Sequence, residues 1–303
     1  MVICCQDVWE KQVDRLLMRL GIGLLFAVFG LFTYCTNVVT NPVTGEKQRV
    51  QLSPQQEVVL GQQSQGKMAA QYGGLFPNAA LQNYVTEVGS RIVEKSKAAQ
   101  APSPSVRYPF KFYLLSDPQT VNAFALPGGP VFITVALLKR LKSEAQLAGV
   151  LGHEIAHVVA RHGAEHLAKQ QLGGALVNAV GIAASDNPND AQRAAVLAQA
   201  ANQLLSLRYG RDDELEADQL GFQFMREAGY KPTGILELMQ VLASLNKGGS
   251  QPEFFKTHPN PENRLERLKT LISQAYPNGV PANLDEGRDR FAKAVQRRLA
   301  GQS

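Results

Sequence analysis

The sequence predicts a mostly helical α+β protein with a small sheet, organised around two helices that carry candidate metal ligands. The first helix contains residues 151–163 (LGHEIAHVVARHG), where an H-E-x-x-H motif lies on an amphipathic segment. The second is predicted at 211–225 (RDDELEADQLGFQFM), where acidic residues recur at helical spacing. Between 110 and 134, two segments with strand-like alternation and a Pro-Gly-Gly turn predict the sheet.

Residues 1–35 predict a targeting segment, because basic residues precede an apolar run at 20–34 (LGIGLLFAVFGLFTY). That run is short for a membrane span and typical of a secretory signal. It ends at Cys35, where a bacterial lipoprotein carries its lipidated cysteine, although Tyr34 stands in place of the usual small residue. We therefore expect membrane attachment through a lipid on Cys35, with plain cleavage or an uncleaved anchor as alternatives. Met18 is an alternative start.

The remaining chain predicts one large domain. Residues 36–52 read as a tether with turn signals, and 53–275 as the domain that contains the predicted sheet and both helices with candidate metal ligands. A C-terminal helical tail is predicted over 276–303, with its helix at Leu284–Leu299.

Two helices are predicted ahead of the sheet. Ser53 is the expected N-cap of a helix running to about Tyr72, and a second helix is expected from about Asn78 to Ala98. No motif assigns these helices a chemistry of their own, so we expect them to support the catalytic part.

The predicted sheet contains a strand within 110–117 (FKFYLLSD) and two strands within 121–134 (VNAFALPGGPVFIT). We expect Pro130–Thr134 to be an edge strand beside the metal. An extended peptide could pair its backbone with such an edge, so that binding is largely independent of its sequence. The alternative is a hairpin that only completes the sheet.

The H-E-x-x-H motif consists of His153, Glu154 and His157. Residues four apart lie one turn above each other on a helix, so the two imidazoles face the same way and can hold one metal ion. Glu154 lies about 100° around the helix, within reach of a water at the metal. Ser143 predicts the start of this helix, which we expect to continue to Gly163.

A catalytic zinc site needs a third protein ligand and leaves one position for water. On the predicted helix, His162 and His166 project about 160° away from the first two histidines, so neither is expected to close the site. Glu214 on the second helix is the better candidate for the third ligand. Asp218 lies one turn along the same helix, where its carboxylate can orient an imidazole that binds the metal. The alternative for this acidic segment is a solvated helix start, which the helix dipole also favours.

Between His166 and Leu207 the sequence is rich in Ala, Gln, Leu and Gly, and 185–190 (SDNPND) interrupts it. This composition predicts close helix packing, with a mobile lid as the alternative. A further amphipathic helix is expected within 230–245 (YKPTGILELMQVLASL), with Pro232 near its start.

Charge and cysteine content narrow the function classes. The net charge is +5, and the 31 basic residues form no dense run, so no nucleic-acid partner is indicated. The three cysteines are Cys4, Cys5 and Cys35, so the part beyond residue 35 uses no disulfide. An apolar content of 45% is that of a globular protein with a sizeable core.

Four ordered motifs resemble a known family. HEIAH at 153–157 and ELEAD at 214–218, preceded by NAFALPGGPVFIT and followed by THPNPENRLERL, are similar to one group of zinc metallopeptidases. This group contains the CAAX prenyl protease, the bacterial HtpX protease and the mitochondrial Oma proteases. The likeness is strongest to its periplasmic lipoprotein members, and it covers about Thr40–Leu271.

The resemblance implies a zincin-like catalytic domain with one Zn²⁺ per chain on His153, His157 and Glu214. It implies Glu154 as the general base and Asp218 as the partner that orients a ligand. Such a set polarises a carbonyl and lowers the pKa of its water towards neutrality.

The resemblance also draws attention to His258. In some relatives a histidine at this position reaches the metal and holds the enzyme latent, and such a histidine could instead stabilise the oxyanion. The implied function is an endopeptidase of the bacterial periplasm that acts on unfolded or misassembled envelope proteins. Two alternatives remain open: a chaperone-like binding module that keeps its zinc but cleaves little, and a maturation protease with one dedicated substrate.

Overall fold

The computed structural model describes residues 3–103, 106–170, 208–246, 252–259 and 263–300. The chain forms two compact units. The smaller contains Met1–Thr40, Lys47–Gln51 and Ala164–Leu204, and the larger contains Asn41–Glu46, Leu52–Gly163 and Leu205–Ser303. Most of the stretch between His166 and Leu207, for which we predicted close packing or a lid, lies outside the described residues.

The smaller unit begins with a long helix, α1 (Ile3–Thr36). It is followed by an antiparallel pair, β1 (Val38–Thr40) and β2 (Lys47–Arg49). Phe29 and other large apolar side chains of α1 are exposed, as is Cys35. Among the described residues, none of the helices combines the length and the apolar character needed to cross a membrane. The predicted targeting role of this segment stays a prediction.

Among the described residues, the larger unit carries the small sheet and most of the helices. Its strands and helices are α2 (Pro54–Gln71), α3 (Ala79–Lys95), a 3₁₀ turn (Lys97–Gln100), β3 (Pro102–Ser103), β4 (Val106–Arg107), β5 (Lys111–Leu115), β6 (Ala123–Ala125), β7 (Pro130–Thr134), α4 (Val135–Leu138), α5 (Glu144–Val159), α6 (Arg211–Glu227), α7 (Thr233–Asn246), α8 (Phe254–Thr257), α9 (Arg264–Ala275), α10 (Arg288–Phe291), a π-helix (Ala292–Gln296) and α11 (Arg297–Ala300).

The helix starts follow from local capping chemistry. Ser53 accepts a hydrogen bond from the backbone N–H of Gln56 at the start of α2, and Asn78 accepts one from Leu81 at the start of α3. Ser143 caps α5 in the same way. These three predicted starts are confirmed, and α3 ends at Lys95, three residues before the predicted end.

The three strands β5, β6 and β7 form one sheet in the order β5-β7-β6. β7 runs parallel to β5 and antiparallel to β6, with Phe132 opposite both Tyr113 and Phe124. The prediction that Pro130–Thr134 is an edge strand is therefore wrong. All five of its residues are buried, and a continuous apolar run is typical of a strand paired on both sides and covered on both faces. The edge strand that contacts α5 is β6.

Helix α5 lies at the centre of the larger unit, and every one of its residues is buried. It packs against α3, α6 and α7. The C-terminal segment joins the same core through Phe291, Val295 and Leu299. At the start of α5, the carboxylate of Glu144 accepts hydrogen bonds from two tyrosine hydroxyls and from Arg290. The C-terminal helices are thereby attached to the first turn of α5.

Helix α5 ends at Val159, four residues before the predicted end at Gly163. Ala160 is the C-cap, and Arg161 follows in the left-handed region at φ 58°. The guanidinium of Arg161 is buried, where it donates to the carboxylate of Glu57 and to the carbonyl of Leu52. Because these contacts lie on α2 and on the segment before it, a sequence pattern confined to the helix does not reveal the break.

The turn between β6 and β7 predicts a measurable steric effect at Gly128. A Cβ there would lie 2.4 Å from the Cα of Val58 on α2, and the backbone is left-handed at φ +81°. We expect Gly128→Ala to lower the free energy of unfolding by about 2–4 kcal/mol, as the sum of backbone strain and overpacking. Gly45→Ala is the matched control, since Gly45 has φ +76° with nothing within 4 Å. It should cost about 1 kcal/mol. Urea unfolding measures both, and equal losses would contradict the close-approach explanation.

Candidate metal centre

The two helices that carry the predicted ligands cross closely at two glycines. A Cβ on Gly221 of α6 would lie 3.1 Å from the backbone N of His153, and one on Gly152 of α5 would lie 3.4 Å from the carbonyl O of Gly221. Glu214, Asp218 and Gly221 recur at helical spacing on one face of α6. The absence of side chains at the crossing therefore lets this face approach the H-E-x-x-H motif directly.

Four buried side chains converge at this crossing: His153, His157, Glu214 and His258. Each offers one ligand atom, and these atoms lie within 4.8 Å of one another. The Nε2 atoms of His153 and His157 are 3.1 Å apart, and each is 3.5 Å from a carboxylate oxygen of Glu214. The structure thus brings together the three residues that the sequence singled out, although Glu214 is 57 positions beyond His157.

His258 reaches the cluster from the end of α8. Its Nδ1 lies 3.0 Å from Oε1 of Glu214 and 3.4 Å from Nε2 of His153. The ring stacks on Phe254 with centroids 4.5 Å apart, and no part of His258 is exposed. His258 is therefore a fourth potential donor to the same point.

Glu154 is fully buried beside this cluster. Within the described part of the chain, neither of its carboxylate oxygens has a hydrogen-bond partner, and the same holds for Nε2 of His258, 3.5 Å from Oε1 of Glu154. Burial raises the pKa of Glu154, against the opposing effect of His258 and His153. A buried carboxylate without partners is costly, so this gap fits a group or a water that would bond to it.

Two further side chains contact the candidate metal ligands from outside the cluster. The Nδ1 of His153 lies 3.1 Å from Oδ1 of Asp218, one turn along α6 from Glu214. The guanidinium of Arg264, from the start of α9, donates to both oxygens of Asp218 at 2.7 and 2.6 Å. Its Nη1 lies 2.6 Å from Oε2 of Glu214. Arg264 was not predicted, because nothing in the sequence distinguishes it from Arg267, which is exposed on the same helix.

The charges in this pocket favour a bound cation. Three buried carboxylates, those of Glu154, Glu214 and Asp218, face one buried guanidinium, that of Arg264. Burial alone would raise the pKa of Glu214, but the electrostatic influence of His258 and Arg264 holds it well below its usual range. With Glu214 and Asp218 ionised, the guanidinium leaves about one negative charge uncompensated, which is unfavourable in a buried site unless a cation offsets it.

Two further residues surround His157. Burial lowers its pKa well below the ordinary value, which favours the neutral imidazole that binds metals. Tyr209, just before α6, stacks on the ring with centroids 3.8 Å apart and an interplanar angle of 17°. The backbone N–H of Tyr209 donates to the carbonyl of Thr257, next to His258. No sequence signal identified Tyr209, because a single aromatic residue before a helix has no characteristic pattern.

His162 is not where the sequence placed it. It was predicted to project away from the site, but its Nδ1 lies 2.9 Å from Nδ1 of His157. Its Nε2 lies 3.1 Å from Oε2 of Glu216. The prediction assumed a continuous helix, whereas α5 ends at Val159 and the chain turns at Arg161. Among the described residues, neither His162 nor His166 belongs to the four candidate ligands, as expected.

Two imidazoles from one helix, a glutamate directly after the first of them, and a carboxylate from a second helix define the H-E-x-x-H-plus-Glu class of zincin-like metallopeptidases. The profile described as Peptidase family M48 matches residues 79–272. The chain belongs to this family, which confirms the resemblance found in its motifs.

Individual relatives agree with this assignment. The chain is 33% identical over 251 residues to a beta-barrel assembly-enhancing protease of Yersinia pestis, which covers 80% of this chain and 49% of that protein. It is 31% identical over 216 residues to the protein of the same name in Escherichia coli, covering 70% and 43%. It is 30% identical over 256 residues to the mitochondrial metalloendopeptidase OMA1 of Schizosaccharomyces pombe, covering 84% and 72%. The chain thus spans about half the length of the beta-barrel assembly-enhancing proteases that it matches.

The position of Arg264 predicts a large effect on stability. Arg264→Met would leave the buried carboxylates of Glu214 and Asp218 without their cation, so we expect a loss of about 3–5 kcal/mol in the free energy of unfolding. Urea unfolding of the metal-free protein measures it. Arg267→Met on the same helix is the control and should stay within about 0.5 kcal/mol of the wild type. A loss at Arg264 no larger than at Arg267 would show that the buried pairs contribute nothing to stability.

Proposed function

We propose that this chain is a zinc-dependent endopeptidase that acts outside the cytoplasm on unfolded or misassembled cell-envelope proteins. The observation that carries the proposal is the meeting of His153, His157 and Glu214 around one point, with Glu154 beside it. Membership of a peptidase family supports hydrolysis. The names of the bacterial relatives support an envelope substrate. A donor set of two nitrogens and one oxygen without sulfur suits a catalytic zinc.

The residues have separable roles in this mechanism. Zinc held by His153, His157 and Glu214 would polarise the scissile carbonyl and make water a better nucleophile. Glu154 takes a proton from the attacking water and passes it to the leaving amine. The carboxylate of Asp218, with Oδ1 3.1 Å from Nδ1 of His153, keeps that ring in place.

The sheet suggests how a peptide would be held. In the β6–β7 ladder, Thr134 donates to the carbonyl of Asn122, and Leu126 donates to that of Pro130. Because bonding alternates along an antiparallel strand, the backbone groups of Ala123 and Ala125 point away from β7. We assign peptide pairing to this edge of β6, in place of the edge first expected at Pro130–Thr134. Ala123 and Ala125 are buried, so the edge has to be uncovered before a substrate binds.

We assign His258 as a further residue that would hold zinc in this closed arrangement and so limit access to it. Its Nδ1 lies among the candidate ligand atoms, close to Glu214 and His153. Every one of these side chains is buried, which fits a latent state. The oxyanion role would require His258 to leave this position and face the substrate instead.

The N-terminal segment completes the proposal. The apolar run at 20–34, the exposed side chains on α1 and the exposed thiol of Cys35 support export and attachment to a membrane through a lipid on Cys35. Membrane attachment would bring the catalytic unit close to envelope substrates.

Removal of the proposed general base separates proteolysis from binding. Glu154→Gln should lower the rate of unfolded-casein cleavage at least ~100-fold, because the amide cannot accept the proton of the attacking water. The zinc content should stay at one ion per chain. Glu87→Gln, at an exposed position on α3, is the control.

A chelator should abolish cleavage by the wild type, and added zinc should restore it. A Glu154→Gln protein with undiminished cellular effect would favour the chaperone-like alternative. Intact casein beside a single cleaved envelope protein would favour a dedicated maturation protease.

The position of His258 predicts that its removal activates the enzyme. His258→Ala would free one position around the metal, and we expect casein cleavage to rise severalfold with zinc content unchanged. The steady-state rate measures this against the wild type. A fall in kcat at unchanged zinc content would instead identify His258 as an oxyanion donor.

A further inference from the structure

We propose that His162 and Glu216 form a positioning dyad that fixes the imidazole of His157 as a metal ligand. This inference rests on the proposed metal binding and adds two residues to it. Neither side chain belongs to the four candidate ligands. Both lie behind the ligand ring, on the side away from the cluster.

The contacts define which nitrogen faces which partner. The Nε2 of His157 points into the cluster, 3.1 Å from Nε2 of His153 and 3.5 Å from Oε1 of Glu214. Its Nδ1 points out and lies 2.9 Å from Nδ1 of His162. The other nitrogen of His162, Nε2, lies 3.1 Å from Oε2 of Glu216. His157, His162 and Glu216 therefore form one chain of contacts that starts at the metal position and ends at a carboxylate.

Only one arrangement of protons satisfies this chain with neutral rings. A nitrogen that binds a metal carries no proton, so Nδ1 of His157 is the protonated nitrogen and donates to His162. The Nδ1 of His162 is then the acceptor, and its Nε2 carries the proton and donates to Glu216. Every nitrogen of both rings has a partner, and neither ring needs an extra proton. The carboxylate of Glu216 thus selects the tautomer of His157 that presents Nε2 to the metal.

The two histidine ligands are held differently. His153 meets the carboxylate of Asp218 directly, whereas His157 reaches a carboxylate through the ring of His162. This intermediate ring depends on the turn that ends α5. Arg161 adopts the left-handed conformation there, and its buried contacts with Glu57 hold the turn.

The surroundings of His157 leave its ring little freedom. Tyr209 covers one face of the ring, and His162 contacts the outer edge. His162 itself is only 1% exposed. A buried histidine needs partners in any case, so its burial alone would fit a purely structural residue. The direction of its Nδ1, towards the free nitrogen of a ligand, is what points to metal positioning.

Zinc affinity of the full chain tests this dyad, measured by competition with a chromophoric chelator. His162→Leu removes the acceptor at nearly unchanged volume, and we expect zinc to bind about 10–100-fold more weakly. His162→Asn places its Oδ1 close to where Nδ1 stood, so it should restore the affinity to within about threefold of the wild type. The visible spectrum of the cobalt(II)-substituted protein should shift in the leucine variant and return towards the wild type in the asparagine variant.

Glu216, the second residue of the dyad, can be tested with a matched set of variants on α6. Glu216→Ala should weaken zinc binding about tenfold, and Glu216→Gln, which keeps an acceptor oxygen, should change it much less. Asp212→Asn, exposed on the same helix, is the control and should leave zinc affinity unchanged. Unfolding of each metal-free variant is measured in parallel, because a purely structural residue would lower stability and leave the affinity of the folded protein unaltered.

The outcomes separate this inference from the function on which it rests. A wild-type protein that binds no zinc overturns the proposed function and the dyad together. A wild-type protein that binds one zinc while His162→Leu binds it equally tightly overturns the dyad alone. The dyad is also overturned if His162→Asn binds zinc as weakly as His162→Leu, because zinc affinity would then not depend on a hydrogen-bond acceptor at this position.

Discussion

The close crossing of α5 and α6 is the constraint on which the rest of this protein depends. Gly152 and Gly221 leave room for the two backbones to approach, and the approach places a carboxylate of α6 next to two imidazoles of α5. Since α5 is buried along its whole length, the surrounding helices fix its position. A ligand set divided between two helices is then as rigid as the packing between them, as a metal site requires.

The charges at this crossing explain why ion pairs surround the candidate metal ligands. Three carboxylates are buried beside a single guanidinium, and an unbalanced charge in a protein interior is unfavourable. Arg264 reduces the imbalance through its contacts with Asp218 and Glu214. A bound cation would offset the remaining negative charge, so metal binding and the stability of the core are expected to be coupled.

Local structure was largely predictable from the sequence, because its causes are local. The caps at Ser53, Asn78 and Ser143 are short-range hydrogen bonds, and the helix spacing of Glu214 and Asp218 is a property of the helix itself. Apart from helix ends such as that of α3, the predictions that were wrong concern relations between distant segments. β7 became central because β5 and β6 pair with its two sides, which alternation along one strand does not reveal.

The sequence by itself determined the candidate chemistry of the site: an H-E-x-x-H helix, an acidic helix and the three candidate donors His153, His157 and Glu214. The family resemblance added His258. Tertiary structure decided which side chains complete it. Arg264 is buried while its neighbour Arg267 is exposed, since only one face of α9 meets the core. His162 turns back towards His157 because Arg161 is held in a left-handed turn by Glu57, 104 positions away in the chain. Contacts across such separations leave no periodic trace in a sequence, so they become visible only when the chain is folded.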